Sequence, residues 1–174
     1  SRPRASMPGW RDGWLQRARA VVSPNHDARP AGMAVDTLVI HYISLPPGRF
    51  GGQAIEQLFT NQLDPLADPA FGELAGLRVS SHFLVRRGGE LVQFVDCDQR
   101  AWHAGASSYR GRSTCNDFSI GIELEGTDEL PYDERQYQVL AAVLQALLRD
   151  IPTLGPDHIV GHSDVAPGRK TDPG

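Results

Sequence analysis

The sequence predicts an α/β or α+β domain, one sheet covered by helices, and three features carry that reading. Residues 35–41 form a nearly continuous β-branched and apolar run, the mark of a strand covered on both faces. Two strand-like runs, 81–87 and 90–95, flank Gly88-Gly89 and read as a hairpin. Residues 133–149 repeat apolar side chains at helical spacing behind an Asp133/Gln136 capping pattern.

Residues 1–34 read as an irregular lead-in punctuated by Pro and Gly, with a short helix over 13–21, and 35–174 as the domain proper. Pro46, Pro47 and Gly48 force a loop after the first strand, and 53–60 predicts a short helix. Residues 63–76 carry several Asp and Pro and read as irregular. Ser119–Glu125 alternates, with Ile120, Ile122 and Leu124 on one face and Gly121, Glu123 and Glu125 on the other. In the long helix, Tyr137, Leu140, Ala141, Leu144, Leu147 and Leu148 form the predicted core stripe. Pro152 and Gly155 end it, and 158–160 predicts a last short strand.

Composition excludes several classes. A net charge of −4 leaves no basic excess to neutralise a nucleic-acid backbone. The apolar runs are too short to cross a membrane. No apolar segment follows the basic start, so no secretory signal is visible. Two cysteines, Cys97 and Cys115, are too few for a disulfide scaffold. The expectation is a monomeric cytoplasmic protein with free thiols; a Cys97–Cys115 bridge would argue for export.

His41, His162 and Asp172 invite a metal reading, since two imidazoles and a carboxylate form a catalytic zinc set with one position open. Spacing alone does not select them. A His at a strand end is usually a hydrogen-bonded structural residue, and Asp172 beside Pro173 equally suits a turn. His158 and His162 stand four apart, but Ile159-Val160-Gly161 between them opposes a helix that would pair them.

Longer strings are more specific. Val39-Ile40-His41-Tyr42-Ile43-Ser44-Leu45-Pro46-Pro47-Gly48 and Arg100-Ala101-Trp102-His103-Ala104-Gly105 resemble segments of the AmpD family of amidases. So do residues 115–128, which contain Ile122-Glu123-Leu124-Glu125, and residues 161–174, which contain Gly161-His162-Ser163-Asp164 and Lys170-Thr171-Asp172. The likeness runs in order from about Gly9 to the end. It implies the type-2 amidase and peptidoglycan-recognition fold, a mixed central sheet flanked by helices with zinc in a groove. It implies cleavage of the amide between N-acetylmuramic acid and L-alanine in 1,6-anhydro-muramyl peptides recycled into the cytoplasm, which lowers the peptides that induce β-lactamase.

By the same resemblance His41, His162 and Asp172 bind zinc, and Glu123 and Lys170 form the catalytic pair. From pattern alone Glu125 competes equally with Glu123, and Arg169 competes with Lys170. Gly121 beside Glu123 is read as leaving room for substrate. Trp102 and His103 are expected to line the groove, one by stacking on a sugar and the other by hydrogen bonding, and Arg78 and Arg112 are candidate anion contacts. Two departures from the family stand out. Tyr42 replaces the Asn that many relatives carry after the metal His. Ser113-Thr114 replaces a Glu-Arg pair whose Arg holds a stem-peptide carboxylate in some members. Two rival functions are a non-catalytic muropeptide-binding module and a cysteine peptidase using Cys97 or Cys115.

Overall fold

A computed structural model describes residues 8–167 and Asp172. Its strands are β1 (Trp10–Arg11), β2 (Trp14–Leu15), β3 (Arg19–Ala20), β4 (His26–Ala28), β5 (Thr37–Ile43), β6 (Phe83–Val85), β7 (Leu91–Gln93), β8 (Gln99–Ala101), β9 (Ser108–Tyr109), β10 (Arg112–Ser113), β11 (Ser119–Glu125) and β12 (Ile159–Gly161). Its helices are α1 (Ala54–Phe59), α2 (Glu134–Asp150) and α3 (His162–Val165). Six strands form the central sheet in the order β12-β5-β11-β6-β7-β3. The first four run parallel, β7 is antiparallel to β6, and β3 is parallel to β7, so the sheet is mixed as expected.

β5 and β11 are neighbouring interior strands, each paired on both sides. Leu38, Ile40, Ile120, Ile122, Phe83 and Val85 point to one face and pack against Val143, Ala146 and Leu147 of α2. Leu84 and Val92 point to the other face, toward Ile55, Leu58 and Phe59 of α1. Each such burial contributes roughly 1.5–3 kcal/mol, whereas an exposed ion pair contributes about 0–1 kcal/mol. Apolar packing therefore fixes where the strand ends sit. β5 is shifted relative to the predicted 35–41. It continues to Ile43, which places His41 inside a paired strand.

The 81–95 hairpin forms in the register Phe83↔Gln93, Leu84↔Val92 and Val85↔Leu91. The helix predicted over 13–21 does not form. Gly13 has φ +85°, and a β-carbon there would lie 1.7 Å from Asp96 Oδ1. The Gln93 side chain then accepts from Leu15 N at 2.7 Å and donates to Gly13 O at 3.0 Å, holding the segment extended. Residues of the predicted lead-in are built into the core: Trp10 is 1% exposed and donates Nε1–H to Asp150 at the end of α2 at 2.6 Å.

α2 is turned relative to the predicted stripe. Gln136, Val143, Ala146, Leu147 and Asp150 face inward, while Tyr137 is 49% exposed and Ala141 is exposed. Two polar residues can face inward because they are satisfied. Gln136 donates to the carbonyls of Val85 and Glu125 at 3.2 and 2.9 Å, and Asp150 accepts from Trp10. The Asp133/Gln136 capping box forms as predicted. Among the described residues no helix is long and apolar enough to cross a membrane.

Candidate metal centre

The centre grows from sheet register. Glu123 on β11 is the direct partner of His41 on β5 and of Leu84 on β6. Adjacent residues of a parallel pair point to the same face, so Glu123 and His41 stand side by side, opposite the α2 face. On the far side Gly161 pairs with Ile40, and the chain turns at once into α3, whose first residue is His162. His158 lies outside the strand, in a single 3-10 turn, with its ring against Tyr109.

Three side chains meet here. His41 Nδ1 and His162 Nδ1 are 3.0 Å apart. Asp172 places Oδ2 3.2 Å from His41 Nδ1 and Oδ1 3.3 Å from His162 Nδ1. Among the described residues this is the one cluster of metal-ligating groups, and all three are buried. The spacing has a physical meaning. Four ligands at the 2.0–2.1 Å typical of zinc stand about 3.3 Å from one another at the vertices of a tetrahedron. Glu123 Oε2 lies 3.9 Å from His41 Nδ1, beside the cluster.

Hydrogen bonds orient the rings. His162 Nε2 lies 3.0 Å from Ala104 O. A carbonyl only accepts, so His162 carries its proton on Nε2 and turns the Nδ1 lone pair toward Asp172 and His41. Burial opposes ionisation of the Asp172 carboxyl, but the His162 and His41 imidazoles that face it hold it below the usual carboxylate range. An anionic oxygen facing two imidazole nitrogens is the donor set a divalent cation fits.

Glu123 and Glu125, equivalent by pattern, are separated by their surroundings. Glu125 accepts from the backbone of Gly51 and Arg87 at 2.8 and 2.9 Å and lies 3.4 Å from Arg86 Nη2, away from the cleft. Glu123 lines a cleft of about 210 Å³ together with His41, His162, Asp172, Trp102 and Tyr42. A second cleft of about 220 Å³ shares Trp102, His103 and His162 and is flanked by Arg78. A wider groove of about 430 Å³ begins at Tyr42 and runs past Ser44, Asp128 and Leu130. Tyr42 donates its hydroxyl to Asp128 at 2.9 Å.

Among the other candidates, Trp102 faces both clefts and donates Nε1–H to Asp27 at 3.2 Å. His103 borders the clefts, but both its ring nitrogens are engaged: Nδ1 lies 2.9 Å from His41 Nε2, and Nε2 lies 3.1 Å from Ser119 Oγ. Burial, reinforced by His41 and His82, drives its pKa well below the imidazole range. The space beside Gly121, read from sequence as room for substrate, is filled by the His103 ring. A β-carbon on Gly121 would lie 2.5 Å from His103 Cγ.

Arg112 is not among the residues lining these clefts. It binds both oxygens of Asp36 at 3.0 and 3.1 Å and covers the Phe118 ring at 3.8 Å. Lys170 and its competitor Arg169 lie outside the described residues. Cys97 and Cys115 are free and buried. Burial pushes both thiols up, against use as nucleophiles.

Sequence reasoning missed the layer that supports the loop over Trp102 and His103. Asn116 Oδ1 accepts from His103 N and Ala104 N at 3.1 and 2.8 Å. Arg29, half-buried, donates to the carbonyls of Asn116, Asp117 and Cys97 at 3.1–3.2 Å. Asn116 lies within the 115–128 string that resembles the family, but a lone Arg in a Pro-rich stretch carries no signal.

Comparison with known proteins agrees with this architecture. The N-acetylmuramoyl-L-alanine amidase family, Amidase_2, matches residues 31–174. The 1,6-anhydro-N-acetylmuramyl-L-alanine amidase AmpD of Escherichia coli K12 is 59% identical over 162 residues, covering 93% of this chain and 88% of the relative. A crystal structure of a selenomethionine AmpD derivative superposes with a TM-score of 0.91 at 58% identity, covering 94% of this chain and 90% of that one. The E. coli amidase AmiD in complex with the substrate anhydro-N-acetylmuramic acid-L-Ala-D-gamma-Glu-L-Lys matches with a TM-score of 0.55 at 30% identity, covering 84% of this chain and 56% of that one. With that coverage and identity, the chain belongs to the N-acetylmuramoyl-L-alanine amidase family.

Proposed function

We propose that this chain is a zinc-dependent amidase that hydrolyses the bond between (1,6-anhydro-)N-acetylmuramic acid and L-alanine in muropeptides. The observation that carries the reading is the meeting of His41, His162 and Asp172 at ligand spacing, with Glu123 beside them in an open cleft. Two imidazoles and one carboxylate favour zinc over magnesium or calcium, which prefer oxygen donors. The substrate assignment draws on the 59% identity to E. coli AmpD and on the ligand named for E. coli AmiD. The wider role, recycling of wall fragments in the cytoplasm by a monomer and lowering of β-lactamase-inducing muropeptides, is carried over from the same resemblance.

Amide hydrolysis needs an activated nucleophile, a stabilised oxyanion and a proton for the leaving nitrogen. Zinc, when bound, supplies a Lewis acid that makes water nucleophilic near neutral pH. Glu123 accepts the proton from that water and donates it to the leaving nitrogen of L-alanine. Its backbone is paired on both sides within the sheet, which fixes where the side chain starts. Lys170 is assigned to the oxyanion by resemblance. Trp102 offers an apolar face for the sugar, Arg78 a cation at the rim of the second cleft, and the groove beyond Tyr42 further contact length.

Incubation with anhydro-muramyl tripeptide and mass analysis of the products tests this. We expect release of the intact tripeptide, loss of that release with chelator and its return with zinc. Full turnover in chelator would overturn the zinc reading. Protein that holds no zinc when purified without chelator, yet binds the tripeptide without cleaving it, would make the chain a muropeptide-binding module.

A further inference from the structure

We propose that His103, anchored by Ser119, is a positioning residue that fixes the tautomer and ring angle of His41 and so sets the metal affinity of the centre. The inference rests on the metal reading above and deepens it. His41 presents Nδ1 to His162 and Asp172, and its other nitrogen points away into the protein. That nitrogen, Nε2, meets His103 Nδ1 at 2.9 Å, and His103 Nε2 meets Ser119 Oγ at 3.1 Å. The His41 and His103 rings stand edge to face at 89° with centroids 5.1 Å apart.

This row admits two neutral proton arrangements. In one, Ser119 donates to His103 Nε2, His103 donates from Nδ1 to His41 Nε2, and His41 carries its proton on Nδ1 toward Asp172. In the other, His41 donates from Nε2 to His103 Nδ1, and His103 donates from Nε2 to Ser119 Oγ. Each residue keeps one proton in both: the two imidazoles exchange tautomers and the Ser119 hydroxyl turns, with no net charge gained or lost. Only the second leaves the His41 Nδ1 lone pair for a cation. Burial of His41, His103 and Ser119 disfavours a charged ring, so the row holds one arrangement or the other. Metal-bound imidazoles commonly donate their second N–H to a carboxylate or carbonyl. His162 does so to Ala104 O, but His41 has an imidazole in that place, and the hydroxyl at its far end completes the acceptor chain.

The site is built around this ring. His103 takes the space over Gly121 that any side chain would fill, and its backbone N–H is held by Asn116. On its far side His82 accepts from Gly121 N at 3.1 Å through Nδ1 and donates from Nε2 to Gln99 O at 2.9 Å. His82 is therefore fully committed and leaves His103 as the partner for His41.

The test is zinc affinity, by competition with a chelator, on folded wild type and three variants, with imidazole nitrogen NMR to read the His41 tautomer. In wild type we expect one tight zinc and a proton on His41 Nε2. His103→Leu removes the acceptor at similar bulk and should weaken zinc by roughly 10–100-fold, the usual effect of losing such an outer partner. His103→Gln restores an acceptor and a donor and should recover most of that loss. Ser119→Ala, the mildest change, should fall between and decides the matter if His103→Leu does not fold. Unchanged affinity and tautomer in Ser119→Ala and His103→Gln together with His103→Leu, or a Gln variant as weak as the Leu variant, would overturn the positioning role. A wild type that binds no zinc would overturn the metal reading itself.

Discussion

A single β-carbon at Gly121 would collide with the His103 ring, which packs against the rings of His41 and His82. Gly121→Ala should therefore destabilise the protein by about 1–3 kcal/mol, the usual cost of overpacking, and weaken zinc binding in the same variant. Thermal unfolding and chelator competition check both. Glu123→Ala should keep zinc and lose roughly 10²–10⁴-fold in turnover, the range for a general acid–base group; a parental rate would remove Glu123 from the reaction. His82 makes a pH prediction. Burial, helped by the Arg29 charge, lowers its pKa from 6.5 to about 3. The unfolded chain then binds a proton that the folded chain refuses. The His82 contribution is complete above about pH 6.5 and is lost progressively as pH falls toward 3, by up to about 1.4 kcal/mol per pH unit. Urea midpoints in chelator across that range should show a shallower acid slope for His82→Asn than for wild type. An identical slope would mean His82 titrates normally. Sequence exposed these residues unevenly. Glu123 and Glu125 share one face of one strand, and only the three-dimensional partners of Glu125 separate them.

Elements defined by repeated, local chemistry were legible. The hairpin around Gly88-Gly89 and the capping box at Asp133 formed where the pattern placed them. Asp133→Ala should cost about 1 kcal/mol through the lost cap, read as a lower thermal midpoint with zinc affinity unchanged. The face of α2 was less legible, because hydrophobic counting gives Gln136 and Asp150 no inward preference. Partners distant in sequence, the carbonyls of Val85 and Glu125 and the indole of Trp10, supply it. Residues 13–21 misled for a related reason: the Gln93 side chain, far along the chain, holds Gly13 and Leu15 extended.

For the molecule as a whole, the metal centre joins elements set apart along the chain: the interior strand β5, the start of α3 and Asp172 beyond it. A ligand that binds only this folded arrangement stabilises it by mass action. At 100 times its dissociation constant, zinc should add about 2.7 kcal/mol, seen as a chelator-dependent fall in the thermal midpoint. His41, His162 and Asp172 were nameable in advance because their surrounding strings resemble a family. Spacing alone could not have chosen them, since the convergence depends on sheet order. The supporting layer of Ser119, Asn116 and Arg29 stayed hidden because such residues are ordinary until their partners are known.

X-ray absorption at the zinc edge of the loaded protein reads this centre directly. The account predicts two imidazole nitrogens and light oxygen ligands at about 2.0–2.1 Å, with no sulfur. A sulfur shell near 2.3 Å, or fewer than two imidazoles, would place the metal elsewhere and contradict the assignment of His41, His162 and Asp172.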